Sequence, residues 1–253
     1  MGSSSYLDSA TPLAFAHRGG ALVEPNVGIE NSLRAFQHAF DIGYRYFETD
    51  VRATKDGIAV ACHDEHLTRL SGHNRAIVDV HSEELAQISL GGSEQIVPLA
   101  DLLAAFPRAR FNIDIKSDDA VAPTLAMVRE YEIASHVCLA AFDHSRLLKI
   151  RELAPEILTS TSTREAGWMV TGVAVPETPR VFQVPVRWHG IPVVTRSFVR
   201  RAHRHGKQVH VWTIDEPEEM HRLLDLGVDG IMTDRTDLLK DVLLERGQWK
   251  DHE

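Results

Sequence analysis

Glu48 and Asp50 stand two residues apart in a stretch, 44–52, whose residues alternate as in an extended strand. That spacing puts both carboxylates on one face, with Phe47, Thr49 and Val51 on the other. Neighbouring carboxylates repel each other and resist leaving water, so the pair calls for a cation or a shared proton. A Lys55-Asp56-Gly57 turn reverses the chain, and a second strand, 58–64, returns His63 on the same face as Ala59 and Ala61. Two further apolar runs end in polar groups, one in His17-Arg18 and the other in Asp114 and Lys116. Three carboxylates without a cysteine or histidine-rich cluster favour a hard cation, Mg²⁺ or Ca²⁺, completed by water or substrate oxygen. Arg18 offers a planar fork for phosphate and Lys116 a point charge. His17 and His63, on separate elements, can work as a general acid and base. Such a set suits cleavage of a phosphodiester. Zinc hydrolysis lacks nitrogen ligands here, and no G-x-S-x-G elbow supplies a serine nucleophile.

These residues must be positioned by a scaffold. Strands are expected at 13–19, 44–52, 110–116, 137–142, 157–162, 181–188, 208–214 and 229–234. Helices are expected at 30–43, 123–133, 144–154, 164–171, 197–205, 216–226 and 236–246; the segment after the second strand is not a simple helix. Apolar runs alternating with amphipathic helices indicate a parallel sheet. Eight such units in a chain of 253 residues match an α/β protein of the (β/α)8 TIM-barrel class better than a doubly wound sheet, for no GxGxxG follows the first strand. Barrels of this kind keep their sites at the C-terminal ends of the strands, where His17, Arg18, Glu48, Asp50, Asp114, Lys116, Trp212 and Asp234 fall. The connection over about 52–98 is too long for a simple loop and reads as an insertion folded over the barrel mouth, within one domain spanning 13–253.

The net charge of −9 argues against a nucleic-acid surface. No run of apolar residues reaches a membrane span, and Cys62 and Cys138 are too few for a disulfide framework. A cytoplasmic location is the expectation. Residues 1–12 are expected to form a disordered polar leader. Each motif has a plainer reading: an E-x-D strand can be a solvated face, and Asp114 can simply pair with Lys116. Phe142 and Trp212 are candidates for an apolar wall beside the substrate or for core filler.

His17-Arg18-Gly19, Glu30-Asn31-Ser32, Glu48-Thr49-Asp50-Val51, Lys55-Asp56-Gly57, His63-Asp64, Val211-Trp212-Thr213 and Thr233-Asp234 occur in an order and spacing that resemble the glycerophosphodiester phosphodiesterase family. The resemblance runs from about residue 13 to 240. It implies a TIM barrel with an insertion after strand two, one divalent cation, and hydrolysis of glycerophosphodiesters to glycerol 3-phosphate and an alcohol. By the same resemblance His17 and His63 are the acid/base pair, and Glu48, Asp50 and Asp114 the metal ligands. Arg18 is then the phosphate-binding arginine and Lys116 the lysine near the third ligand; Glu30, Asn31, Phe142 and Trp212 are further candidates for substrate binding. Asp114 departs from the family's usual Glu, and Ser32 from its usual Thr. Asp followed two residues later by Lys is also reminiscent of spider-venom phospholipase D barrels. Phospholipase D-like cleavage of lysophospholipids is therefore an alternative, and a non-catalytic barrel binding phosphorylated ligands is another of a different class.

Overall fold

The computed structural model describes residues 5–8, 12–172 and 177–250. Eight parallel strands form its centre: β1 (Leu13–His17), β2 (Tyr46–Ala53), β3 (Arg110–Ile115), β4 (Val137–Ala140), β5 (Leu158–Thr159), β6 (Val181–Pro185), β7 (Gln208–Trp212) and β8 (Gly230–Thr233). They neighbour one another in the order β5-β4-β3-β2-β1-β8-β7-β6. The ring closes between β5 and β6 through a parallel bridge from Ser160 to Val181 and a Thr161 N–H donated to the Val181 carbonyl at 3.2 Å. Each strand is followed by a helix: α1 (Leu33–Asp41), α2 (Leu99–Ala105), α3 (Val121–Glu130), α4 (His144–Leu153), α5 (Thr163–Thr171), α6 (Arg196–Arg204), α7 (Pro217–Leu226) and α8 (Thr236–Glu245). The expected α/β barrel is what the chain forms.

Strand parity sorts the side chains. One parity, including Phe47, Val51, Ile113, Leu139 and Val211, packs outward under the helices in the main core. The other fills the barrel interior, where Phe15, Tyr46, Cys138, Leu158, Val181 and Met232 make an apolar layer. Gly230 belongs to that layer, because a Cβ there would come within 2.9 Å of both His210 and Phe15. Above it the interior turns polar.

Three expectations shift. β5 is two residues long, and α1 begins at Leu33, with Ser32 Oγ accepting the Ala35 N–H at 3.2 Å as its cap. The third concerns the leader. Ser5–Leu7 form a short 3-10 turn, and Tyr6 is fully buried, its ring edge-on to Tyr46 at 5.4 Å. Tyr46 Oη donates to the Tyr6 carbonyl at 2.7 Å, so this part of the leader is ordered by aromatic burial. Residues 1–4 and 9–11 lie outside the described ones.

Between β2 and α2 the chain makes a return strand, Ala59–Ala61, antiparallel to β2 with Val51 opposite Ala61. Short helices Thr68–Ser71 and Ser82–Leu85 follow, then a small hairpin of Ser89–Leu90 with Glu94–Gln95. This segment carries an apolar cluster of its own, including Cys62, Leu67, Ile77, Leu85 and Ile96. That cluster gives the segment carrying His63 a packed core of its own.

Candidate active site

Register places the polar groups side by side. His17 pairs with Glu48 across β1 and β2, and Asp50 with Asp114 across β2 and β3. Adjacent parallel strands lie about 4.8 Å apart, so these side chains meet without any loop having to reach. Arg18 leaves β1 with a φ of +51°, which turns its side chain back over β2. Its Nε lies 2.9 Å from Asp50 Oδ2, and Nη1 donates to Glu30 Oε1 at 3.0 Å.

His17 and His63 each rest on a carboxylate. His17 Nδ1 lies 2.7 Å from Asp234 Oδ1, which leaves Nε2 facing Glu48 at 3.6 Å. His63 Nδ1 lies 2.7 Å from Asp64 Oδ1, and its carbonyl accepts from Arg52 Nε at 2.9 Å. Both histidines line the same cavity. Burial opposes protonation of His17, but Glu48 and Asp234 outweigh it and push its pKa up to about 9. Burial and the neighbouring Asp50 raise Glu48, whereas Lys116 and Arg18 overcome burial and hold Asp50 low.

Lys116 Nζ sits between Asp50 Oδ1 at 2.7 Å and Asp114 Oδ2 at 2.6 Å. The plain pairing of Asp114 with Lys116 is therefore real. Among the described residues, no three His, Cys, Asp or Glu side chains close into a ready-made metal cage. The donor chemistry nevertheless fits a hard cation, because three buried carboxylates converge and Asp114 Oδ1 is buried with no partner.

His17, Arg18, Glu48, Asp50, His63, Asp114, Lys116, Phe142 and Trp212 line one cavity of about 460 Å³. Phe142 and Trp212 meet edge to face at 5.4 Å, and Phe142 is 49% exposed, so it is not core filler. Glu30 and Asn31, expected to bind substrate, do not line this cavity. Glu30 braces Arg18, while Asn31 donates to Asp50 Oδ2 at 3.2 Å and accepts from Thr49 Oγ1 at 2.8 Å. Both stand behind the groups that face the cavity.

One member escaped the sequence reading. Arg69, in the short helix Thr68–Ser71, donates to Asp64 Oδ2 at 2.6 Å and to both Glu30 oxygens at 2.8 Å. It links the His63 dyad to the Arg18 brace. No motif announces it, because its partners lie on two other segments.

Residues 17–238 match the model of the glycerophosphoryl diester phosphodiesterase family. The chain belongs to that family. It is accordingly a phosphoric diester hydrolase. A probable glycerophosphodiester phosphodiesterase 2 of Mycobacterium tuberculosis is 40% identical over 254 residues, covering 94% of this chain and 92% of its own. The crystal structure of a glycerophosphoryl diester phosphodiesterase from Silicibacter pomeroyi superposes with a TM-score of 0.80 at 23% identity, over 96% of this chain and 98% of that one. A phosphodiesterase of Oleispira antarctica, solved with its product sn-glycerol-3-phosphate, superposes with a TM-score of 0.76 at 19% identity, over 92% of this chain and 97% of that one. These two likenesses, at low identity, concern the fold. No helix among the described residues is long and apolar enough to cross a membrane.

Proposed function

We propose that this family member hydrolyses small glycerophosphodiesters to glycerol 3-phosphate and an alcohol, with the whole of 13–253 acting as one catalytic domain. The observation that carries the reading is the pair of His–Asp dyads, each 2.7 Å long, opening on the cavity that Arg18 and the carboxylates line. A pure binder would need no second proton-transfer group.

Glu48, Asp50 and Asp114 would hold a divalent cation, Mg²⁺ or Ca²⁺. When bound, such a cation supplies Lewis-acid neutralisation of the phosphoryl oxygens. Arg18 binds and orients the phosphate, and Glu30 and Asp50 set its guanidinium. Lys116 adds a positive charge at the same end of the cavity. One imidazole takes the proton from the attacking hydroxyl, the substrate's own glycerol 2-hydroxyl or water. The other gives a proton to the departing alkoxide. Asp234 and Asp64 fix the tautomer each ring needs. Asp114 is one methylene shorter than Glu, and its engagement with Lys116 keeps its carboxylate beside Asp50.

Release of glycerol 3-phosphate from glycerophosphocholine in the presence of Mg²⁺, Ca²⁺ or Mn²⁺, and its loss with chelator, is the expected result. No release with any of the three ions would favour the non-catalytic barrel. Substrates lacking the 2-hydroxyl separate the routes, since equal turnover of such diesters excludes a cyclic phosphate.

A further inference from the structure

Charge is spread unevenly along this acidic chain. Residues 178–214 hold seven Lys and Arg and no Asp or Glu, in a protein whose net charge is −9. The stretch runs from the approach to β6 through α6 to just past β7. Within α6, Phe198, Val199 and Ala202 are buried, while Arg196, Arg200 and Arg204 are exposed. Spacings of four residues put the three arginines in one row along the outer face of the helix. Among the described residues none of the three has a carboxylate within ion-pair distance, whereas Arg151, Arg222, Arg235 and Arg246 each hold one. α6 itself contains no acidic residue. Like charges four residues apart weaken a helix, so the row opposes folding without an internal counter-charge.

An apolar tip adjoins the row. Just before α6, Arg187–Trp188 and Ile191–Pro192 form a small antiparallel hairpin, with Trp188 directly opposite Ile191. Side chains paired in this way share a face. Trp188 is 40% exposed and Ile191 60%. Arg187 is exposed beside them, its Nη1 donating to the Gly190 carbonyl at 3.0 Å. Tryptophan with an apolar neighbour, next to unpaired arginines, is the composition of a surface that meets a bilayer at its headgroup layer.

We infer that the α6 row and the Trp188–Ile191 tip form a docking surface for an anionic phospholipid bilayer. The arginines lie over the headgroup phosphates, and the hairpin inserts its two apolar side chains between headgroups. Charge complementarity selects an anionic occupant, because the chain outside 178–214 is acidic and this face alone attracts a negative surface. The apolar tip selects among anionic occupants. A nucleic acid or an acidic protein segment would engage the row but leave Trp188 and Ile191 in water. None of the three arginines lines the cavity, so docking and diester hydrolysis stand or fall separately.

The test is flotation of the full chain with vesicles of phosphatidylcholine, with and without phosphatidylglycerol, at low and high ionic strength. Binding to the anionic vesicles should be far stronger than to the neutral ones and should fall with salt. Each arginine beside an anionic leaflet should contribute about fivefold in affinity, so the triple variant Arg196→Gln, Arg200→Gln, Arg204→Gln should bind about a hundredfold more weakly. That variant should turn over glycerophosphocholine in solution as the parent does. Its melting temperature should equal or exceed the parent's, because glutamine is a good helix former and the repulsion is gone. Trp188 borders the cavity, so only vesicle binding is read from Trp188→Gln. That substitution should weaken binding about tenfold at either ionic strength, since apolar insertion is not screened. Poly-glutamate and a DNA duplex serve as alternative polyanions. Equal binding to neutral and anionic vesicles, binding to neither, unchanged binding in the triple variant or in Trp188→Gln, or tighter binding of poly-glutamate or the duplex than of the vesicles would each overturn the docking surface.

Discussion

The two sides of the barrel mouth are built on different principles. The side formed by β1–β3 gathers Arg18, Lys116, His17 and three carboxylates within ion-pair distance, and every one is braced. The side formed by β4–β7 presents Phe142, Trp188, Ile191 and Trp212, with Phe142, Trp188 and Ile191 left substantially exposed. The first side is held by charge and register, so its geometry tolerates little change. The second is held by the fold beneath it and offers area rather than aim. The proposed reaction chemistry draws on the first side, while the second adds apolar surface to the same cavity.

The largest effects should come from the charged side and should ignore the substrate. His17→Ala and His63→Ala are each expected to lower kcat roughly 10²- to 10⁴-fold on every diester. Near-normal turnover by both variants would dissolve the contrast between the two sides, because the proton-transfer groups would then lie elsewhere.

Arg69→Ala should act more weakly, by about tenfold in kcat/KM, since it removes no group that faces the cavity. Arg69 is a positioning residue: its side chain is 48% exposed, and its loss frees Asp64 and Glu30 together. An exposed ion-pair network contributes little stability, about 1 kcal/mol or less, so melting should barely move. Guanidinium added to Arg69→Ala should restore part of the rate, and Arg69→Lys should not, because only a planar fork spans two carboxylates. A variant with unchanged kinetics would mean that the dyad and the Arg18 brace stand independently.

The charged side was largely legible because its members recur at strand ends in fixed local spacing. E-x-D puts Glu48 and Asp50 on one face of β2, and D-x-K puts Asp114 near the end of β3 with Lys116 just beyond it. The eight-unit barrel was legible for a similar reason, as period-2 runs alternated with period-3.6 ones. What escaped were pairings between distant segments. Arg69 meets Glu30 across 39 positions, and Asp234 meets His17 across 217. That Glu30 and Asn31 lie behind Arg18 and Asp50 was not legible either, since a motif gives order along the chain but not depth behind the surface. Tyr6 was read as part of a disordered leader, since an isolated aromatic in a polar stretch has no periodicity to signal its burial.

Beneath the apolar side, the wall is anchored by one buried pair. Arg151 holds Glu165 at 2.6 Å and 3.1 Å and donates to Thr159 Oγ1 at 2.9 Å and to the Ser160 carbonyl at 2.9 Å. Glu165 also closes the cap of α5 by accepting from the Ser162 N–H at 2.8 Å. Glu165→Ala leaves Arg151 without its partner and should cost about 3–5 kcal/mol in chemical denaturation. Turnover of glycerophosphocholine should change little, because neither Arg151 nor Glu165 lines the cavity. A large loss of turnover would show that the two sides share one support.

The smallest effect on activity, with a defined sign on stability, lies deeper in the barrel. His210 is fully buried beside Phe15, its Nε2 3.0 Å from Gln208 Oε1 and its Nδ1 unpaired. Burial disfavours the imidazolium and lowers its pKa from 6.5 to about 3. As pH falls through 6.5 the unfolded chain takes up this proton while the folded chain does not. The contribution of His210 is thus complete above 6.5 and is lost progressively toward 3, at roughly 1.4 kcal/mol per pH unit. His210→Leu removes the titration, so the difference in unfolding free energy between variant and parent should shift in favour of the variant steadily as the buffer is taken from pH 6.5 to 4. The rate on glycerophosphocholine should stay the same, because His210 lies below both sides of the mouth and does not line the cavity. A difference that stays flat with pH would mean that the imidazole is charged inside the barrel.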